Sequence, residues 1–143
     1  MSMKILVGVD GSTPSARAVQ WCATYAIPLD AEVIAVHAID LPVVVAPMTS
    51  YLPFPEFTEV DRKELTETIT RDWCTPLTSA SIPFRVVVKE GNPGLVIIKS
   101  ADDESADLVV TGRRGRGGFA ELVLGSTSYS LVHHLNRPLT IVP

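Results

Sequence analysis

Four glycines fall within the seven residues from Gly112 to Gly118, in the segment Thr111-Gly-Arg-Arg-Gly-Arg-Gly-Gly-Phe-Ala-Glu-Leu-Val-Leu-Gly-Ser-Thr-Ser128. A phosphate cradle needs backbone N–H groups brought close to the anion, and glycine permits both positive φ and close approach. Further on, Gly125 leads into an expected helix whose first turn carries Ser126, Thr127 and Ser128. Unpaired amides and the positive end of the helix dipole make such a turn an anion site, and the hydroxyls add donors. No acidic residue follows Glu121 to oppose a phosphate there.

Other readings of the same residues are weaker. Gly115-Arg-Gly117-Gly-Phe-Ala120 fits the dinucleotide pattern G-x-G-x-x-A, which expects an acid about twenty residues further on, and none stands there. A P-loop is excluded because Gly-Lys-Ser/Thr occurs nowhere. Asp10 either caps the amides of Ser12 or Thr13 or is a phospho-acceptor, as in a flavodoxin-like signalling receiver. A receiver wants further acids beside it and a later lysine, whereas only Asp10 is acidic in that region. Arg113, Arg114 and Arg116 either pair with phosphates or form a solvated charged loop. His37 sits in an apolar run and reads as a core histidine satisfied by a neighbour. His133 and His134 are adjacent on an expected helix and point to different sides, which does not suit a shared metal. Cys22 and Cys74 have no paired Cys or His spacing around them and read as reduced core residues.

The elements that position these residues follow from periodicity. Lys4 to Asp10 lacks alternation and reads as a strand buried on both faces. Thr13 is placed to cap a helix with Pro14 at its first position, running to about Ile27 before Pro28. Ala31 to Ile39 is a second buried strand. The proline-dense segment from Pro42 to Pro55 is incompatible with regular structure, and its length suggests a lid or a partner-facing loop. A helix is expected from about Glu56, with Leu65, Ile69, Trp73 and Leu77 on one stripe and Pro76 ending or kinking it. A third strand is expected over Ser81 to Lys89 and a helix from Asn92-Pro93 to Asp103. A fourth strand follows over Ala106 to Thr111, then the glycine-rich loop, a helix from Ser126 to Leu135 and a strand over Leu139 to Val142. This alternation predicts an α/β fold, a parallel sheet with helices on both faces, whose ligands bind beyond the carboxyl ends of the strands.

The spacing Gly112, Gly115, Gly125, Ser126 fits the pattern G-x2-G-x9-G-(S/T). At these residues the chain resembles the ATP-binding type of the universal stress protein family. The resemblance extends to Asp10-Gly11-Ser12, to Asp107-Leu-Val-Val-Thr-Gly112 and to Arg137-Pro-Leu-Thr-Ile-Val142, and so over nearly the whole chain, 1–143. It implies a single domain with five parallel strands in the order 3-2-1-4-5, the adenine nucleotide alpha hydrolase-like fold. It further implies ATP with Mg2+ near the tops of strands 1, 2 and 4. Asp10, with Gly11 and Ser12, would face the ribose or a metal on the phosphates, and the backbone of Ala38 the adenine edge. Gly112, Arg113, Gly115, Gly125, Ser126, Thr127 and Ser128 would hold the phosphates. No residue is assigned a catalytic role, because phosphoryl transfer needs a positioned base and cations that the chain does not clearly offer. A nucleotide sensor in the stress response is therefore expected, with a slow ATPase or a cyclic-AMP or AMP-binding variant as alternatives. The resemblance also implies a homodimer, with the short apolar edge Leu139–Val142 pairing antiparallel with its copy.

A length of 143 residues and 46% apolar content suffice for one core without disulfides. The net charge of -4 gives no general attraction to nucleic acid or anionic lipid, so neither is an expected partner. The opening apolar run Ile5 to Val9 is too short for a signal peptide or a membrane span, so a cytoplasmic protein is expected.

Overall fold

The computed structural model describes residues 2–40, 56–114 and 124–143. The proline-dense segment from Pro42 to Pro55 and the loop residues Gly115, Arg116, Gly117 and Gly118 lie outside the described residues. The elements are β1 (Met3–Gly8), α1 (Thr13–Tyr25), β2 (Ala31–Ile39), α2 (Glu59–Thr68), α3 (Thr75–Ser79), β3 (Phe84–Glu90), α4 (Pro93–Asp103), β4 (Leu108–Gly112), α5 (Ser126–His134) and β5 (Leu139–Val142). The five strands form one sheet, parallel as the alternation predicts and in the order β3-β2-β1-β4-β5 that the family resemblance implies.

β1 lacks polar alternation because the sheet is covered on both faces. Ile5 and Val7 point to one side, where α1 and α3 supply Val19, Cys22 and Leu77. Leu6 points to the other, with Ile34, Val36 and Val109, under Val96, Ile97 and Ala101 of α4 and Leu131 of α5. Burial of each such Val, Leu or Ile contributes about 1.5–3 kcal/mol.

Local details differ from expectation; β3 begins at Phe84 rather than Ser81, which sits in the turn before it at a positive φ of 56°. The cap of α1 is Ser12, whose hydroxyl accepts from the Ser15 amide at 3.3 Å; Thr13 already lies inside the helix. Gly11 takes a positive φ of 78° and turns the chain out of β1, so the helix begins one residue sooner. α2 starts later than Glu56, at a capping box in which Thr58 accepts from the Asp61 amide and Asp61 accepts from the Thr58 amide. Beyond Thr68 the chain makes a π-helical turn over Ile69–Trp73, closed by the Cys74 amide on the Ile69 carbonyl at 3.0 Å. That extra residue places Ile69, Cys74 and Leu77 in the core and leaves Trp73 half-buried, so the four-residue stripe breaks after Ile69. Pro76 begins α3 rather than ending a long helix.

Candidate functional site

Three helices begin at the carboxyl edge of the sheet, around a cavity of about 540 Å³. β1 and the turn after it contribute Gly8, Val9, Asp10 and Ser12, the first turn of α1 contributes Ser15, and β2 contributes Val36, His37, Ala38 and, just beyond it, Asp40. β4 contributes Thr111 and Gly112, with Arg114 following. The first turns of α4 and α5 complete the wall through Asn92, Pro93 and Ile97 and through Gly125, Ser126, Thr127, Ser128 and Ser130. The chain runs outward from β1 to β3 and then crosses to β4 on the other side, so the cavity lies where the strand order reverses.

The three helix starts are not equivalent. Ser12 caps α1, and the Asn92 side chain caps α4 by accepting from the Leu95 amide at 3.3 Å. Gly125 stands at the cap of α5 and has no side chain to offer. Its own amide donates to the Arg113 carbonyl at 2.8 Å, which ties the helix start to the end of β4. The first turn of α5 thus presents its amides to the cavity with no side-chain cap in front of them, and with no acid in that turn.

Asp10 is held by the same turn it supports. Its Oδ1 accepts from the Ser12 amide at 2.9 Å, and its own amide donates to the buried Ser15 hydroxyl at 3.1 Å. This is the local capping role read from the sequence, and it keeps Asp10 at the cavity wall. His37 is half-buried, with Nδ1 2.7 Å from the Val9 carbonyl and its ring edge-on to Trp73. A carbonyl only accepts, so Nδ1 carries the proton. Ser128 is buried, and its hydroxyl donates to the Gly112 carbonyl at 2.7 Å. A hydroxyl has one proton, so that group joins β4 to α5 and has no second proton to give an anion.

Of the residues expected at a site, Asp10, Ser12, Ala38, Gly112, Gly125, Ser126, Thr127 and Ser128 line one cavity. Gly11 shapes the turn without lining it. Arg113 is exposed and its amide donates to the Val142 carbonyl at 2.7 Å; the adjacent Arg114 lines the cavity instead. Gly115 lies outside the described residues. The Arg114 Nε is buried and has no hydrogen-bond partner among the described residues. Sequence reading did not assign Gly8, His37, Asp40, Asn92, Pro93, Ile97 or Ser130 to the site. A signal existed for Asn92-Pro93, since every helix of a βα unit begins at the carboxyl edge where ligands bind. The others depend on which side of each strand end faces α4 and α5.

Among the described residues, no group of three or more His, Cys, Asp or Glu side chains is placed to hold a metal ion. No described helix is long and apolar enough to cross a membrane.

The universal stress protein family model matches residues 1–143. A universal stress protein of Thermus aquaticus is 30% identical over 143 residues, covering 99% of this chain and 99% of its own. One from Mycolicibacterium smegmatis is 34% identical over 142 residues, covering 96% of this chain; this chain spans about half of it, 47%. A solved universal stress protein in complex with cAMP superposes with a TM-score of 0.70 at 24% identity, covering 99% of this chain and 96% of its own. With the family model matched from end to end and a full-length relative at this identity, the chain belongs to the universal stress protein family.

Proposed function

We propose that this chain is a nucleotide sensor that binds ATP through its phosphates at the start of α5. The observation that carries the reading is the uncapped first turn of α5, facing a cavity at the reversal point of the sheet. The cavity volume of about 540 Å³ lies within the range of about 300–1,000 Å³ typical of small-ligand sites. In this reading the amides of Ser126 and Thr127 and the Arg114 side chain hold the phosphates. Ser128 fixes the helix start through its bond to Gly112. The backbone of Ala38, at the end of β2, reads the adenine edge, and Asp10 faces the ribose or a phosphate-bound Mg2+.

The donor set fits such a group. Mg2+ is commonly held by one or two carboxylates together with substrate phosphates, so a full protein cage is not required. When bound, Mg2+ neutralises phosphate charge. The described cavity wall holds two carboxylates, Asp10 and Asp40, which can support binding but do not amount to a positioned base with γ-phosphate cations. We therefore favour sensing in the cytoplasm over dedicated hydrolysis. A homodimer through the outer edge of β5 fits the same reading, since β5 ends the sheet and each of its residues is only half-buried.

Calorimetric titration of the purified protein with ATP and Mg2+ tests the proposal. Saturable one-site binding is expected. Heats no larger than dilution for ATP, AMP and cyclic AMP alike would remove it.

A further inference from the structure

At the amino edge of the sheet, opposite the cavity, a hollow of about 260 Å³ opens between the end of α1 and the start of β3. Ala26, Ala31 and Ile82 are buried at its floor, and the exposed Ile27 and Pro83 stand at its walls. The turn that borders it holds large apolar side chains in solvent: Tyr25 is 44% exposed, Ile27 66% and Leu29 42%. Folding does not need them there. Backbone bonds close the turn, with the Ala31 amide on the Ala26 carbonyl at 2.8 Å, the Asp30 amide on the Ile27 carbonyl at 3.0 Å and the Met3 amide on the Asp30 carbonyl at 3.0 Å. The buried Ala26 and Ala31 form its apolar seal. An apolar patch rimmed by polar groups marks an interaction site. Here the rim is acidic. Asp30 and Glu32 line the hollow, and among the described residues no lysine or arginine does. Asp30 is exposed and in no ion pair among the described residues. Arg85 lies near Glu32, but its guanidinium is taken by the Glu104 carboxylate.

We infer that this edge docks a peptide segment of a partner protein in which one large apolar side chain is flanked by lysine or arginine. A volume of about 260 Å³ falls below the range of about 300–1,000 Å³ usual for small-molecule sites and suits a single inserted side chain. Ile27 and Pro83 give that side chain apolar contact, and Leu29 extends the surface beside it. The flanking cations meet Asp30 and Glu32 at the rim, where charge complementarity selects the partner and speeds encounter. The same acids repel an anionic lipid surface, which favours a protein over a membrane as the occupant. Because backbone bonds already fix the turn, docking has little chain to order. The hollow and the nucleotide cavity lie at opposite ends of the strands, so the docking site stands whether or not the cavity takes a nucleotide.

The test is an amide 1H–15N NMR titration of the full chain with four peptides, acetyl-Gly-Lys-Lys-X-Lys-Lys-Gly-amide with X as Leu, Ile, Met or Phe. Each is run against a control that carries glutamate for every lysine. At least one lysine peptide is expected to bind with a Kd below about 1 mM, shifting Ile27, Asp30, Ala31 and Glu32 most, while its control shifts none of them. Ile27→Ser should weaken that peptide about tenfold, as loss of an apolar anchor does. Asp30→Asn should weaken it about threefold, as loss of a rim charge does. Asparagine tolerates the positive φ of 50° at this position, and an unchanged Tm confirms that each variant is folded. No shift at these residues with any of the four peptides, equal shifts with the controls, or an affinity that neither variant moves would overturn the inference. Shifts centred on Asp10 and Asp40 at the cavity would overturn it too. So would shifts at the turn that grow with protein concentration in the absence of peptide, which would make a second copy of this chain the occupant. None of these outcomes bears on nucleotide binding.

Discussion

A methyl group on Gly112 would stand 2.7 Å from the Pro14 carbonyl carbon and 2.8 Å from its Cβ and carbonyl oxygen. The first glycine of the motif is therefore required by the start of α1 as well as by any ligand, because no flexible side chain is there to yield. Gly112→Ala should destabilise the protein by about 1–3 kcal/mol in urea denaturation, the usual cost of overpacking. A neutral result would show that α1 can shift away from β4. Ser128→Ala acts on the same junction from the other side. It leaves the buried Gly112 carbonyl with only the long 3.4 Å bond from the Thr111 hydroxyl, at a cost of about 1–3 kcal/mol by the same measurement. The thiols form a separate group. Burial, assisted by the nearby Cys74, pushes Cys22 from 9.0 up to about 12, and burial pushes Cys74 up to about 11. At pH 8 both stay protonated in the folded state, so thiol reagents should label them only after unfolding. Ionisation is easier unfolded than folded. Stability from these groups is thus complete below about pH 9 and falls as pH rises toward the folded values, and Cys22→Ala should flatten that alkaline loss.

Three junctions between helix or turn and strand close in one way at the scale of elements. The Ala31, Ile82 and Ala106 amides reach back five residues to the Ala26, Leu77 and Ala101 carbonyls, with Asp30, Ser81 and Ser105 at positive φ in between. This is the Schellman arrangement, sealed by buried residues on both sides. Left-handed backbone costs a non-glycine residue about 1–2 kcal/mol, so Ser105→Gly should raise stability, by up to about 1 kcal/mol after glycine's own entropy. An unchanged or lowered denaturation midpoint would count against the assignment. These closures were not legible in the sequence because no glycine marks them. The strands were legible, since unbroken apolar runs such as Lys4 to Val9 have few alternatives in a chain with this alternation. Helix starts were legible to within a residue or a few: Asn92-Pro93 opens α4 as read, whereas Ser12 displaces Thr13 at α1 once Gly11 turns the chain. The π-helical turn was hidden because Leu65, Ile69, Trp73 and Leu77 keep a regular spacing, and only packing against α1 selects Cys74 over Trp73. The candidate site was half legible. Local motifs exposed Asp10, Gly112 and Gly125 to Ser128, and the helix start at Asn92 carried a signal that was not used, while Asp40 and Ser130 reach the cavity only through the tertiary arrangement of β2 and α5.

For the whole molecule, the strand order and the uncapped α5 together define a molecule with one end suited to an anionic ligand. A ligand that binds only the folded state at one hundred times its Kd stabilises it by about 2.7 kcal/mol. With a shift of about 2–4 °C per kcal/mol at this size, saturating ATP should raise Tm by roughly 5–10 °C. The most direct test is residue-resolved, an amide 1H–15N NMR titration with ATP and Mg2+. The largest shifts should fall on Ser126, Thr127 and Ser128, with a second group around Ala38 at the end of β2. A titration in which ATP binds while the first turn of α5 stays unmoved would contradict the claim that this turn receives the phosphates.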